Sequence, residues 1–384
     1  MSRILRVAAV QMDATPMPVE KRLERAADLI AEAASSGALM IVLPEVFNTG
    51  YEYTDTNYGL AETINGRTVT WMRQQAREHG VHLLGSLLLR DQDEVYNSAI
   101  LLAPDGRFWR YDKNFPWAWE RAYFREGRGI TVAETDLGNF GLMICHDYTH
   151  PELWERYAGQ VDAMLLTSCP PVAHKLSWVF PDGTRRQFDD KLVYVGDDEP
   201  FGKDLDEKAA WMGVPLINTT GAGRFSTPIP NPRLTLNVLM ANEPNLWGKI
   251  QEEADKVRFD GGYFNQTKVV DAHGNVLSRV DHNADGFTLA DITLEDQAPQ
   301  PKGDMPPNVY TPLMYMTSDH VVPPLMIQAY RQGYRKQFGK RMAPLQHGTK
   351  VWGAALVAAA GASAVVGWTA GRLRRMAERR QLPK

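Results

Sequence analysis

The chain has 384 residues, 44% apolar and 23% charged, with a formal net charge of -4, a globular composition long enough for one large domain or two ordinary ones. A slightly acidic chain with no compact basic patch on its globular part excludes a nucleic-acid binder. Two cysteines, Cys145 and Cys169, exclude a disulfide framework and point to a reducing compartment; no CxxC pair and no Cys/His cluster at zinc-ligand spacing indicates a metal, and no cofactor is implied.

The N-terminal stretch MSRILRVAAVQMDATP is too short and too polar for a signal peptide, since Gln11 and Asp13 break its apolar run. It reads as a first strand over 4–10. Residues 19–36 place Leu23, Ala26, Ala27, Ile30, Ala33 and Ala34 at helical spacing, and Gly37 ends that helix. An apolar strand, ALMIVLPE (38–45), stops at Pro44-Glu45. A helix follows over 68–80, then two strands, VHLLGSLLLR and VYNSAILLAPDG, the second closing on an Asp-Gly turn. FGLMICHD is a further strand, and PELWERYAG is the helix after it, with Pro151 in its first turn. DAMLLTSC and GVPLINTTGAG continue the alternation. Closing strands lie within GYFNQTKVVDAHGNVLSRVD and GFTLADITL. Strand and helix alternate over 1–296, which is the signature of an α/β domain.

The remainder has a different texture. Residues 297–320 are Pro-rich and read as an extended arm. In 321–349, Met326, Tyr330, Tyr334, Phe338 and Met342 recur every four residues among Arg331, Arg335, Lys336, Lys340 and Arg341. This is a basic amphipathic helix, expected to lie on a membrane surface unless its apolar stripe packs on the domain or a partner subunit. The run Val351–Gly371 holds no charge and as a helix would span roughly 31 Å, the hydrocarbon thickness of a bilayer. Trp352 and Trp368 stand near its ends, so 350–372 reads as a transmembrane helix with a basic tail over 373–384. A buried Ala-rich helix is the alternative.

Three short stretches carry chemistry. Glu45 closes an apolar strand in VLPEVFNTGY, where desolvation would raise its pKa toward neutrality and fit it to exchange protons. Lys113, in YDKNFPWAWERAYFREG, precedes a loop crowded with aromatics and could supply fixed positive charge to an oxyanion. Cys145, in GLMICHDYTHPE, stands where a strand turns toward a helix. The positive helix end there would favour its thiolate and make it a nucleophile if a base is near. Each also has an ordinary reading: a solvated acid, a surface lysine, a small buried thiol.

Together and in this order, Glu45, Lys113 and Cys145 resemble the Glu-Lys-Cys set of the nitrilase superfamily, the carbon–nitrogen hydrolases. The resemblance covers about residues 5–296 and includes VAAVQMDA, GVPLINTTG and the closing VVDAHGNVLS and GFTLADITL. It implies a four-layer α-β-β-α sandwich that dimerises or assembles further. It also implies a thioester mechanism, with Glu45 as base, Cys145 as nucleophile, and Lys113 and the backbone N–H of His146 at the oxyanion. Glu120 matches the second glutamate with which many amide-hydrolysing members position substrate. His146 is a further candidate for substrate contact, and Tyr51, Trp117 and Cys169 are candidate pocket residues. Asp147 in the third place of Cys-His-Asp favours amides over nitriles. Thr149-His150 replaces an arginine common in the family before the Pro-Glu step, which argues against reading a carboxylate-bearing substrate.

The segments 172–204 and 224–260 depart from the family pattern and read as inserts leading to the pocket. The second is rich in apolar residues that would serve the pocket or an oligomer contact. The expectation is a membrane-anchored amidase, its catalytic domain facing the cytoplasm, acting on an amphiphilic or fatty amide. N-carbamoyl hydrolysis, nitrile hydrolysis of small substrates, acyl transfer to an amine and an idle scaffold are the rivals.

Overall fold

The computed structural model describes residues 2–172, 175–188, 193, 200–240 and 243–339. The expected strands form where apolar residues alternate or run unbroken, and they assemble into two large sheets. The first runs Gly221–Ala222, Arg3–Asp13, Met40–Val42, His82–Asp91, Glu94–Leu102, Phe108–Asp112, with Gly286–Leu294 antiparallel to the N-terminal strand. The second runs Val276–Arg279, Lys268–Val270, Leu216–Thr219, Ala163–Thr167, Gly138–Ile144, Val132–Thr135.

The period of two in the N-terminal strand sets the layers. Leu5, Val7 and Ala9 face the second sheet and share a core with Leu142, Ile144 and Leu165. Ala8, Val10 and Met12 face the other way, against Leu23, Ile30, Val69 and Met72 of the helices Val19–Ser35 and Arg67–His79. Leu153 and Trp154 of the helix Pro151–Tyr157 and Leu205 and Ala209 of Lys203–Met212 join the core of the second sheet. The expected α-β-β-α layering follows from these faces.

The described residues of the two inserts contain regular strands. Ser177–Val179, Arg185–Gln187, Arg224–Pro228 and Arg258–Gly262 form an antiparallel four-stranded sheet. Its aromatic face is buried: Trp178 and Phe259 lie 4.4 Å apart, and Trp119 meets Phe259 edge-on at 5.2 Å. Phe225, Leu236, Met240 and Leu246 turn inward, while Leu239 and Trp247 remain exposed.

Two expectations for the C-terminal region are corrected. The arm is not extended throughout: Pro312–Tyr315 and Met316–Val321 are helical turns. Nor does the amphipathic helix Val322–Phe338 offer its stripe to a membrane. Met326, Tyr330 and Tyr334 are buried against the domain, with Tyr58, Val95 and Tyr123 in the same cluster. Tyr330 Oη donates to Glu94 Oε2 at 2.6 Å and accepts from the Val95 amide at 3.0 Å. Amphipathicity records that a face is covered, not what covers it. Met342, Lys340, Arg341 and the run 351–371 lie outside the described residues. Among the described residues no helix is long and apolar enough to cross a membrane.

Gly333 permits the close docking of that helix, because a Cβ there would lie 2.3 Å from Tyr58 Cε2. Gly333→Ala is therefore expected to cost about 1–3 kcal/mol by overpacking. Thermal unfolding measures the loss, and an unchanged midpoint would place the helix elsewhere in solution.

Candidate active site

The central residues all stand at strand ends. Glu45 lies just past Met40–Val42, Lys113 follows Phe108–Asp112, and Cys145 follows Gly138–Ile144, at the end where α/β sheets collect their ligands. Two of these turns are conformationally costly. Cys145 has φ +48° and opens the 3-10 turn Cys145–Thr149, and Val46, next to Glu45, has φ +44°. A β-branched residue in that region is rare, and such strain of about 1–3 kcal/mol persists where the surroundings enforce it. Here the Val46 amide is held by Ser86 Oγ at 2.9 Å.

Lys113 is fully buried between two carboxylates. Its Nζ donates to Glu45 Oε1 at 2.8 Å and to Glu120 at 2.7 Å to Oε2 and 2.9 Å to Oε1. Burial opposes its charge, but Glu120 and Glu45 more than offset this and hold the ammonium protonated. Burial pushes Glu45 up to about 7 against the attraction of Lys113. Glu45 Oε1 also accepts from Asn97 Nδ2 at 2.8 Å. Glu45 Oε2 is buried with no hydrogen-bond partner among the described residues, and the Glu45 carboxylate interacts with the Cys145 thiol.

The expectation of a thiolate favoured by a helix end is corrected here. Burial first, and the neighbouring Glu45 second, push the Cys145 thiol well up. The resting thiol keeps its proton and must pass it to a base as it attacks.

Glu120 is placed beside Lys113 as expected, but its bonding differs from a direct substrate contact. Tyr51 Oη at 2.5 Å and Lys113 occupy Oε1; the Trp117 amide at 2.6 Å and Lys113 occupy Oε2. A carboxylate has about four lone-pair sites, and all are used to hold Lys113, Tyr51 and the Trp117 turn.

Tyr51, Trp117 and His146 all line the pocket beside Cys145, together with Pro170, Phe201, Phe259, Tyr310 and Met314. No Lys, Arg, Asp or Glu is among the described residues of that wall. Cys169 is the exception among the candidate pocket residues. Its side chain is buried against Gly221 and Tyr263, and it reaches Cys145 through its backbone N–H.

Several contributors escaped sequence reasoning. Asn97 orients Glu45. Asp147 is a tether as well as a subclass signal: Oδ2 accepts from Tyr111 Oη at 2.7 Å and Oδ1 from the Phe115 amide at 2.7 Å, binding the Lys113 loop to the Cys145 turn. Asn97 carried a readable signal, a buried polar residue inside an apolar strand. Tyr310 and Met314, from the C-terminal arm, roof the pocket. The arm is fixed by Asn308 Nδ2 and Tyr315 Oη, both donating to Thr149 O, the former at 2.7 Å.

Comparison with known proteins identifies the family. Residues 6–179 match the model of the carbon-nitrogen hydrolase family. A nitrilase of Pyrococcus abyssi is 31% identical over 186 residues, 47% of this chain and 68% of the relative. An omega-amidase, NIT2, of Xenopus tropicalis is 32% identical over 239 residues, covering 56% and 82%. The chain belongs to the carbon-nitrogen hydrolase family and is a hydrolase of C–N bonds other than peptide bonds. Among solved structures, an amidase from Nesterenkonia sp. superposes with a TM-score of 0.54 at 19% identity, over 75% of this chain and 89% of its own. A CN-hydrolase superfamily protein from Xanthomonas campestris gives 0.53 at 16%, over 77% and 91%. At these identities the likeness concerns the fold.

Proposed function

We propose that the protein is an amidase that works through a Cys145 thioester on an uncharged, apolar amide. The observation that carries this reading is the buried Glu45–Lys113–Glu120 cluster beside Cys145, opening onto a wall with no charged side chain among its described residues. Glu45 Oε2 takes the thiol proton as Sγ bonds to the carbonyl carbon. The oxyanion forms against the Lys113 charge and the backbone N–H of His146. Collapse breaks the C–N bond, and the proton on Glu45 leaves with ammonia or the amine. Glu45 then deprotonates water, which attacks the thioester; the acid departs and the sulfur recovers its proton. Glu120 acts through Lys113 and Tyr51 as a positioning residue.

The wall supports an apolar substrate, since among its described residues none offers a cation to a desolvated carboxylate. The pocket also shares Phe188, Val193 and Met314 with an outer groove containing Trp178, Leu239 and Leu313, whose charged residues Arg186 and Glu243 pair with each other. That continuity supports an extended apolar tail, in keeping with the charge-free run 351–371 as an anchor to lipid. Ammonia release by the full-length, detergent-solubilised protein from primary amides of graded chain length tests this. Release should grow with chain length and be weak for amides ending in a carboxylate. Preference for the short or carboxylate-bearing amides would remove the apolar-substrate reading while leaving the thioester mechanism standing.

The pH dependence follows from Glu45. A base must be ionised to act, so with a pKa of about 7, kcat/KM should rise tenfold per pH unit below that value and level off above it. A flat profile between pH 5 and 8 would remove Glu45 as the base.

A further inference from the structure

At the pocket wall is a second cluster, whose side chains the mechanism leaves unused. His146 and His150, four residues apart on the turn after Cys145, converge on Asp319 from the C-terminal arm. His150 Nε2 lies 3.2 Å from Asp319 Oδ2, and His146 Nε2 lies 3.6 Å from Asp319 Oδ1. The ligand atoms of all three residues lie within 4.8 Å of one another. We propose that His146, His150 and Asp319 form a binding site for a divalent transition metal ion of the Zn²⁺ class.

Four observations support the assignment. First, both ring nitrogens of His146 are buried without a hydrogen-bond partner among the described residues, and the residue is only 3% exposed. A polar group so placed is costly unless something binds it. Second, 3.6 Å is too long for a hydrogen bond. Two ligands each about 2.1 Å from a tetrahedral ion stand about 3.4 Å apart; the His146–Oδ1 and His150–Oδ2 separations lie on either side of that value, one to each carboxylate oxygen, and the whole set lies within 4.8 Å.

Third, the outer contacts are those that orient a ligating histidine. His150 Nδ1 lies 3.3 Å from His146 O and 3.2 Å from Thr149 Oγ1, so a proton on Nδ1 leaves Nε2 bare. Its ring is fixed by stacking on Phe115 at 3.5 Å and 4°. Fourth, two imidazoles and one carboxylate, with a side open to the pocket, suit Zn²⁺, Co²⁺ or Ni²⁺ rather than the all-oxygen cations. Two cations act on the site: Lys113 on His146, and Arg121, whose Nη2 is 3.4 Å from Asp319 Oδ1; Lys113 is paired with Glu45 and Glu120 and Arg121 with Glu126, which offsets them. A bound ion would tie the C-terminal arm to the turn that carries Cys145.

Co²⁺ is the direct probe, because its visible absorption reports ligand type and geometry without reference to activity. The full-length protein, stripped with EDTA, is titrated with Co²⁺ and then competed with Zn²⁺. The wild type should take one equivalent and show the intense visible bands of low-coordinate Co²⁺, lost on adding Zn²⁺. Asp319→Asn, nearly isosteric, should weaken binding by more than the roughly 10–100-fold that loss of an outer partner costs, and His150→Ala should do the same. Cys145→Ala should bind as the wild type does. Binding unchanged in Asp319→Asn, or lost in Cys145→Ala, would overturn the site and assign any metal to the thiol. Mg²⁺ competing as well as Zn²⁺ would also overturn it. Thermal unfolding of each apo variant separates a lost ligand from a lost fold.

Discussion

Cys145→Ala is expected to lower kcat/KM by a factor on the order of 10⁵–10⁶, close to the level left when a nucleophile that acts as a unit with its base is removed. The size follows from how the site is built. Glu45 and Lys113 are placed to serve one sulfur atom, and no serine, threonine or second cysteine is among the described residues of the pocket wall. The fold should survive, because Cys145 contributes a small side chain and the strained φ of +48° is set by the surrounding turn. Two measurements check this together. Turnover of a primary amide should vanish with the unfolding midpoint nearly unchanged. Rapid quenching followed by intact mass should show the acyl adduct in the wild type and none in the variant. A variant retaining more than about a hundredth of wild-type turnover would mean that water attacks directly and that Cys145 only packs.

Which parts of this could be read from sequence has a physical pattern. Glu45 and Cys145 were legible as polar residues closing apolar strands, whereas Lys113, after the mixed strand Phe108–Asp112, stood out only beside them, through the order in which the three resemble the family's Glu-Lys-Cys set. Local reading of this kind missed Asp319. It stands 169 residues from His150, and spacing rules for metal ligands see only near neighbours. The stripe of Met326, Tyr330 and Tyr334 was legible as a stripe, but its partner is Tyr58 and the strand start at Val95, which no helical periodicity names. The inserts failed for another reason. Strands of three residues, such as Ser177–Val179 and Arg185–Gln187, are too short to show alternation, and their order comes from pairing with distant segments. The thiol of Cys145 was misjudged because a five-residue 3-10 turn carries less dipole than a helix, while burial acts on the whole side chain.

The second large effect is expected from Lys113→Met, which should damage stability and activity by separable routes. The ammonium is shared by Glu45 and Glu120, both within 2.8 Å. Removing it leaves two buried carboxylates without a cation, a change that costs about 3–5 kcal/mol when a buried pair is broken from one side. The protein can limit that cost only by protonating one acid, which raises its pKa in the folded state above the value in the unfolded chain. An acid so shifted holds its proton longer when folded, so stability falls as pH rises from the ordinary carboxylate range toward the raised value. The unfolding midpoint of Lys113→Met should therefore trail the wild type by far more at pH 8 than at pH 5. Activity should fall by at least the 10²–10³ that one oxyanion donor supplies, and further because Glu45 is then protonated at neutral pH. Adding Glu120→Gln removes one of the two competing acids. The double variant Lys113→Met/Glu120→Gln should recover much of the stability and none of the turnover, which a double-mutant cycle reads as coupling. An equal deficit at both pH values, with no recovery in the double variant, would mean that Lys113 contributes packing rather than charge.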